Sequence, residues 1–173
     1  DARYQVKRNM SDKVLAPAAL AKAAEGSEIL FCCLTEKVTA EVIAHLAPHL
    51  KVIATLSVGL DHIDLEAAAG FGVKVLNTPE VLNESTAEVA MMLILGACHR
   101  AFESDQLVRT GVLTGWAPTQ MLGLGLSGRR LGILGLGRIG RQVARRAAPF
   151  GLEIHCHNRA QLPPEDEAGA AYH

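Results

Sequence analysis

The chain has 173 residues, 49% of them hydrophobic, with 17 basic and 18 acidic side chains and a formal net charge of −1. That balance gives no global attraction to nucleic acid or to a membrane surface, and no apolar run reaches the roughly 20 residues of a membrane span. The four cysteines (Cys32, Cys33, Cys98 and Cys156) lack CxxC or zinc-finger spacing and lie in apolar runs, so free thiols in a reducing, cytoplasmic setting are expected, with no metal site.

Residues 4–7 read as a short extended piece. Residues 15–24 are alanine-rich and helix-prone, preceded by Ser11 and Asp12 and stopped by Gly26. Residues 29–34 form a continuous apolar run of strand length, as expected for a strand covered on both faces. Val38, Val42, Ile43 and Leu46 then make a helical stripe. A second buried strand, 52–56, ends in Ser57-Val58-Gly59-Leu60-Asp61-His62-Ile63-Asp64. A short helix at 65–69, closed by Gly70 and Gly72, leads to a strand at 73–76. Strands alternating with helices over short connections predict a parallel, open α/β sheet.

Thr78-Pro79 breaks the pattern and reads as a crossing between domains, giving one domain over 1–77 and another over 78–173. Ser85-Thr86-Ala87-Glu88 has the form of a capping box. The helix that follows, to about Arg100, is apolar nearly all round and so should be buried on several sides, as between domains or subunits. Residues 101–127, with Gly111, Gly115, Trp116 and Pro118, read as an irregular excursion. A strand at 131–134, a helix at 138–150 with Ile139, Val143 and Ala147 on one face, and a strand at 153–157 complete the order.

The chemistry concentrates where the strand at 131–134 runs into Gly135-x-Gly137-x-x-Gly140 and a helix. Strand, glycine turn and helix in that order is the context of a dinucleotide fingerprint. Gly135 permits the tight turn, Gly137 lets backbone approach a pyrophosphate, and Gly140 lets helix and strand pack closely. The first helical amides then face the phosphates at the positive end of the helix dipole. After the next strand, where an NAD-preferring fold carries a carboxylate for the ribose 2′-hydroxyl, the chain has His157-Asn158-Arg159. An arginine can hold a 2′-phosphate bidentately, so NADP is expected over NAD. Seven arginines against one acid, Glu153, between 129 and 159 agree with a phosphorylated cofactor, although Arg145 and Arg146 read as a solvated face.

Ser57-Val58-Gly59 lies at the carboxyl end of a strand, where open α/β sheets seat ligands, and its amides could receive a carboxylate. His62 beside Asp61 and Asp64 carries little weight as a catalytic or metal site. His45, His49 and His99 read as structural or exposed, and His155, Cys156 and His157 alternate along a strand and should not converge on a metal.

Together these stretches resemble the D-isomer-specific 2-hydroxyacid dehydrogenases, most closely the glyoxylate/hydroxypyruvate reductase branch. The matching pieces are 57–64, Asn77-Thr78-Pro79, Thr86-Ala87-Glu88, the glycine motif 135–140 and 157–159, in order over nearly the whole chain. The resemblance implies a partial flavodoxin-like substrate domain joined to a partial Rossmann cofactor domain. It implies that the amides of Val58 and Gly59 hold the substrate carboxylate, that Arg138, Ile139 and Gly140 sit on the pyrophosphate, that Asn158 and Arg159 meet the adenosine phosphate, and that Thr86 lies near the nicotinamide. It also implies a homodimer built through 85–120.

Two departures follow. Against the family pattern the start reads as lacking its first strand and helix, and its catalytic Arg, Glu and His are expected beyond the chain end, so the sequence reads as part of a longer protein with no catalytic residue of its own. The first functional expectation is NADPH-dependent reduction of glyoxylate or hydroxypyruvate by the full-length protein, the 173-residue piece being inactive. The alternatives are a corepressor-like NAD(P)-sensing protein of the same fold and an NAD-dependent phosphoglycerate-type dehydrogenase. The absent carboxylate at 158 argues against the last.

Overall fold

Side chains along the first three strands alternate between a face covered by helices and a face left bare. In the computed structural model, residues 4–11, 13–167 and 169–173 are described, and the chain divides into two units, Asp1–Glu80 and Val81–His173. The first unit holds strands β1 (Ile29–Cys33), β2 (Val52–Leu56) and β3 (Lys74–Leu76), all parallel and adjacent in that order. Ile29 lies opposite Val52, and Val52 opposite Lys74. Helices α1 (Pro17–Ala23), α2 (Ala40–Leu46) and α3 (Leu65–Gly70) connect and cover them. Leu20, Val42, Ile43, Leu46 and Ala68 from these helices bury against Leu30, Cys32 and Ile53 of the sheet. The expected cover on both faces is not found. All three helices pack on the Leu30–Cys32–Ile53 face, so the pleat turns Ile29, Phe31 and Leu56 outward, Phe31 to 67% exposure.

Local corrections have local causes. α1 begins at Pro17, two residues later than the composition indicates, because proline pre-sets the first helical φ and Ala16 becomes the N-cap. Ser11 is engaged with Asn9 rather than with a helix end, and Asp12 lies outside the described residues. Residues 4–7 join no ladder among the described residues. Asp64 caps α3, its Oδ1 accepting the Ala67 amide at 2.9 Å.

The second unit contains α4 (Asn83–Cys98), α5 (Ala101–Arg109), β4 (Arg130–Leu134), α6 (Arg138–Ala147), β5 (Glu153–His157) and β6 (Ala171–Tyr172). The three strands are parallel and again adjacent in chain order. Val143, Ala144 and Ala147 of α6, Ala87 and Met91 of α4, and Ile154 and Cys156 of β5 form its core around Leu136. A 3₁₀ turn, Ala148–Phe150, closes α6, and Gly151 follows in the left-handed region at φ +75°.

Four readings of this half change. α4 starts at Asn83 with Leu82 as N-cap and no side-chain cap, so 85–88 is not a capping box. Ser85 instead lies within the first turn and donates its hydroxyl to the Leu82 carbonyl at 3.3 Å, the back-bond open to a helical serine. The excursion from 101 opens as a helix, α5, carrying Arg100–Glu103 and Asp105–Arg109 pairs at i,i+3 and i,i+4. α4 buries Ala87 and Met91 against the unit's own core, while Val89, Met92 and Leu93 stay exposed; within this chain it is covered on one side only. Arg146 is not a solvated residue. Its guanidinium is held by Gln142 Oε1 at 2.7 Å and reaches Glu84 and Glu88 of α4, both at 3.9 Å, tying α6 to α4. Among the described residues no helix is long and apolar enough to cross a membrane.

Candidate active site

The turn after β2 is shaped by hydrogen bonds to its carbonyls. β2 sends Ile53 and Thr55 toward the helices, and Ser57 continues that inward register, 5% exposed. The Ser57 carbonyl accepts from the Thr78 amide at 2.9 Å and from the Thr78 hydroxyl at 3.2 Å. The Val58 carbonyl accepts from Asn77 Nδ2 at 2.8 Å. In a trans peptide the carbonyl and the following N–H point in opposite directions, and the chain has no cis bonds. Pinning Ser57 O therefore turns the Val58 amide away from residues 77–78, and pinning Val58 O does the same for Gly59. Neither amide donates to any group among the described residues. Two consecutive, outward amides at the carboxyl end of a parallel strand form a seat for a small anion.

His62, discounted in the sequence, belongs to this turn. Its Nε2 lies 2.9 Å from Thr55 Oγ1, and Thr55 Oγ1 lies 2.9 Å from Ser57 Oγ. Ser57 Oγ donates to the Gly59 carbonyl at 2.8 Å. Its backbone is fixed too, the carbonyl accepting the Val38 amide at 2.8 Å beside the Val38–Ile63 bridge. The signal available beforehand was the run Ile53, Thr55, Ser57: two hydroxyls on the inward register of a strand need partners in the core. In the sequence Asn77 and Thr78 read only as part of a motif; the fold makes them clamps on the turn.

The glycine turn of the second unit meets its steric requirements. Gly135 takes φ +97°, a region costly for any side chain, and a Cβ at Gly140 would collide with the Gly135 carbonyl oxygen. Gly137, by contrast, has open space above it and serves as the N-cap of α6 with no side-chain cap bond. Arg138, Ile139 and Gly140 form the first turn of α6, whose N-cap offers no side-chain cap. Open backbone at 137 leading into the N-terminal turn of a helix fits a pyrophosphate. Asn158, half-buried past the end of β5, accepts the Leu136 amide on Oδ1 at 2.7 Å, while Arg159 is exposed beside it. Thr86 is exposed on the first turns of α4, next to Ala87, which shares the fully buried core with Leu136.

The two groups of residues are thus assembled separately: Val58 and Gly59 in the first unit; Thr86, Gly135, Gly137, Arg138, Ile139, Gly140, Asn158 and Arg159 in the second. His155 and His157, two apart on β5, share a face rather than diverging. His155 Nδ1 stands 2.6 Å from His173 Nε2, and His157 Nδ1 contacts the His173 carbonyl. Among the described residues no three His, Cys, Asp or Glu side chains gather to hold a metal ion.

Comparison with known proteins gives one consistent set. The family profile described as D-isomer specific 2-hydroxyacid dehydrogenase, catalytic domain, matches residues 3–166. A glyoxylate reductase of Aeropyrum pernix is 44% identical over 158 residues, 88% of this chain and 47% of that protein. The human glyoxylate reductase/hydroxypyruvate reductase is 37% identical over 167 residues, 96% of this chain and 51% of that one. Among solved structures, a D-isomer specific 2-hydroxyacid dehydrogenase from Polaromonas, described as NAD-binding, superposes with a TM-score of 0.87 at 57% identity, covering 95% of this chain and 52% of its own. A D-lactate dehydrogenase from Aquifex aeolicus, complexed with NAD and lactic acid, gives a TM-score of 0.78 at 30% identity over 88% of this chain and 45% of its own. The chain spans about half the length of the curated relatives it matches.

Proposed function

This chain belongs to the D-isomer specific 2-hydroxyacid dehydrogenase family, and we propose that it is the binding part of a reductase that converts glyoxylate or hydroxypyruvate to the hydroxy acid with NADPH. In this reading residues 1–77 belong to the substrate domain and 78–173 to the cofactor domain. The observation that carries it is the pinned turn at 57–59, whose Val58 and Gly59 amides face away from their clamps without partners among the described residues. Two neighbouring amides match the two oxygens of a carboxylate, and holding the carboxylate orients the adjoining ketone.

Gly135, Gly137, Arg138, Ile139 and Gly140 hold the cofactor's pyrophosphate, with Thr86 near its nicotinamide. The uncapped start of α6 and the open face of Gly137 support this. Bound nicotinamide supplies the hydride. The preference for NADPH rests on Asn158 and Arg159: the Asn158 acceptor atom is already occupied by Leu136, leaving its NH₂ group as a donor beside an exposed guanidinium. Both suit a 2′-phosphate, whereas two of the solved relatives are described with NAD. On this reading the general acid that protonates the ketone oxygen is the family's His, tuned by its Glu, with its Arg orienting the substrate, and none of the three is among these 173 residues. The 173-residue chain alone then neither oxidises NADPH with glyoxylate nor binds it tightly.

The reading also includes a homodimer through 85–120. Its support is the bare apolar side of α4 and an open groove of about 940 Å³ lined by Met91, Met92, Leu95, Pro149 and Phe150, with Trp116 87% exposed nearby in sequence. Four unpaired cysteines support a cytoplasmic setting.

Loss of NADPH absorbance with glyoxylate or hydroxypyruvate tests the proposal. The full-length protein is expected to oxidise NADPH with at least one of them, and the 173-residue chain with neither. No turnover by the full-length protein with either acid would remove the reductase reading.

A further inference from the structure

The hydrogen bonds behind the carboxylate turn can run in only one direction. A carbonyl oxygen accepts and never donates, so the single hydroxyl proton of Ser57 goes to Gly59 O, 2.8 Å away. Ser57 Oγ must then accept from Thr55 at 2.9 Å, which spends the single proton of Thr55. Thr55 Oγ1 in turn must accept from His62 Nε2, also at 2.9 Å. The neighbouring Cys32 thiol, paired across the sheet with Thr55, does not reverse this order. Burial pushes its pKa up and keeps it protonated, so it brings a proton of its own, and oxygen is the better acceptor for the Thr55 hydroxyl.

We propose that His62 is a positioning residue of the carboxylate-binding turn, acting as an Nε2–H donor at the head of a one-way relay through Thr55 and Ser57 to the Gly59 carbonyl. The proposal rests on the reading of Val58 and Gly59 as the seat of the substrate carboxylate. Its physical basis is a division of labour among three consecutive carbonyls. Those of Ser57 and Val58 are clamped by Thr78 and Asn77, but that of Gly59 is held by Ser57 Oγ. Glycine has the widest backbone freedom of any residue, so without the relay the Gly59–Leu60 peptide, which bounds the seat on its C-terminal side, loses its restraint. Thr55 and Ser57 are 2% and 5% exposed, which keeps water from substituting for the ring as the first donor. Removing the ring N–H leaves Thr55 Oγ1 a buried acceptor with a partner lost, and the hydroxyls reorient to compensate. Because the His62 backbone is anchored independently through Val38, the side chain can be changed without releasing the loop.

Two measurements on the full-length protein decide the matter. The first reads the His62 ring directly, by two-bond ¹H–¹⁵N spectra of ¹⁵N-histidine-labelled protein at a pH above the usual histidine range, with the resonances lost in His62→Gln assigned to residue 62. The neutral ring is expected to carry its proton on Nε2. A proton on Nδ1 overturns the relay, whatever the enzyme acts on. The second is steady-state kinetics with glyoxylate. His62→Gln keeps a donor at the reach of Nε2 and should leave KM for the 2-oxo acid within about twofold, whereas His62→Leu should raise it on the order of tenfold. KM for NADPH should stay put in both. Unchanged KM for the 2-oxo acid in His62→Leu, or equal loss in Gln and Leu, overturns the positioning role, because then the donor is not what matters. A full-length protein that turns over no 2-oxo acid refutes the proposed function instead, and the tautomer still decides the relay. A His62→Leu variant that fails to fold leaves the decision to the tautomer and the Gln variant.

Discussion

Asn158 closes onto the glycine turn through one bond: its Oδ1 accepts the Leu136 amide at 2.7 Å across 22 residues of chain. Leu136 is fully buried, so this amide has no access to water. Asn158→Ala should therefore leave a buried donor unpaired, at a cost of about 1–3 kcal/mol. Urea denaturation checks this. Asn158→Asp keeps the acceptor and should restore stability, but it places a carboxylate where the NH₂ group stands. That carboxylate repels a 2′-phosphate and accepts from a ribose hydroxyl, so NADH should overtake NADPH in cofactor titrations. A stable Asp variant that still prefers NADPH would remove Asn158 from the cofactor argument.

Arg159 is exposed next to it, and in the proposed function it pairs with the 2′-phosphate. Arg159→Ala should weaken NADPH binding by about 1.5–3 kcal/mol, tenfold or more, and leave NADH binding nearly unchanged. Equal effects on the two cofactors in fluorescence titration would contradict that pairing.

Gly140 and Gly137 make a matched pair of controls. A methyl group at 140 collides with backbone at Gly135 and crowds Ile133, whereas one at 137 meets open space. Gly140→Ala should lower stability by about 1–3 kcal/mol through overpacking. Gly137→Ala should keep the melting temperature and lose affinity for NADPH, since the added methyl stands where a pyrophosphate would approach. Melting curves with and without cofactor separate the two effects.

The bare side of α4 gives a prediction about assembly. Val89, Met92 and Leu93 are each at least half exposed on one helix, an arrangement soluble monomers rarely keep. Sedimentation of the full-length protein should show a dimer, and Leu93→Lys should shift it toward monomer. A monomeric parent protein at micromolar concentration would rule out this interface.

The cysteines differ in environment. Burial pushes the Cys32 and Cys156 thiols above their ordinary pKa of 9.0, with the charge of Glu167 adding to the effect at Cys156. Cys33 is exposed. A thiol-specific disulfide reagent at pH 8 should therefore modify Cys33 quickly and reach Cys32 and Cys156 only on unfolding. The same shifts set a sign for stability. A folded-state pKa raised above the unfolded one gives stabilisation present below about pH 9 and lost as pH climbs through the folded value. Denaturation midpoints should fall on the alkaline side of pH 9, and less steeply in Cys156→Ala.

The sequence by itself determined whatever depends on neighbours along the chain. Short apolar runs at 29–34, 52–56 and 131–134 gave strands, since runs of that length bounded by turn signals suit a buried strand better than a helix. The glycine turn was legible because its requirement is steric and local: a positive φ at Gly135 and no room for a Cβ at Gly140. Tertiary structure decided what depends on partners from elsewhere. β6, two residues long, exists only as a third rung beside β5, and no pattern of two residues could announce it. Whether a strand is covered on one face or two depended on where α1, α2 and α3 settled, which apolar content does not encode. Arg146 looked solvated until Glu84 and Glu88 of α4 came beside it. Most of all, the outward aim of the Val58 and Gly59 amides depends on Asn77 and Thr78, about twenty residues further on, which hold the carbonyls of Val58 and Ser57. Hydrogen bonds are directional and need both partners in place, so their pattern appears only once the chain has folded.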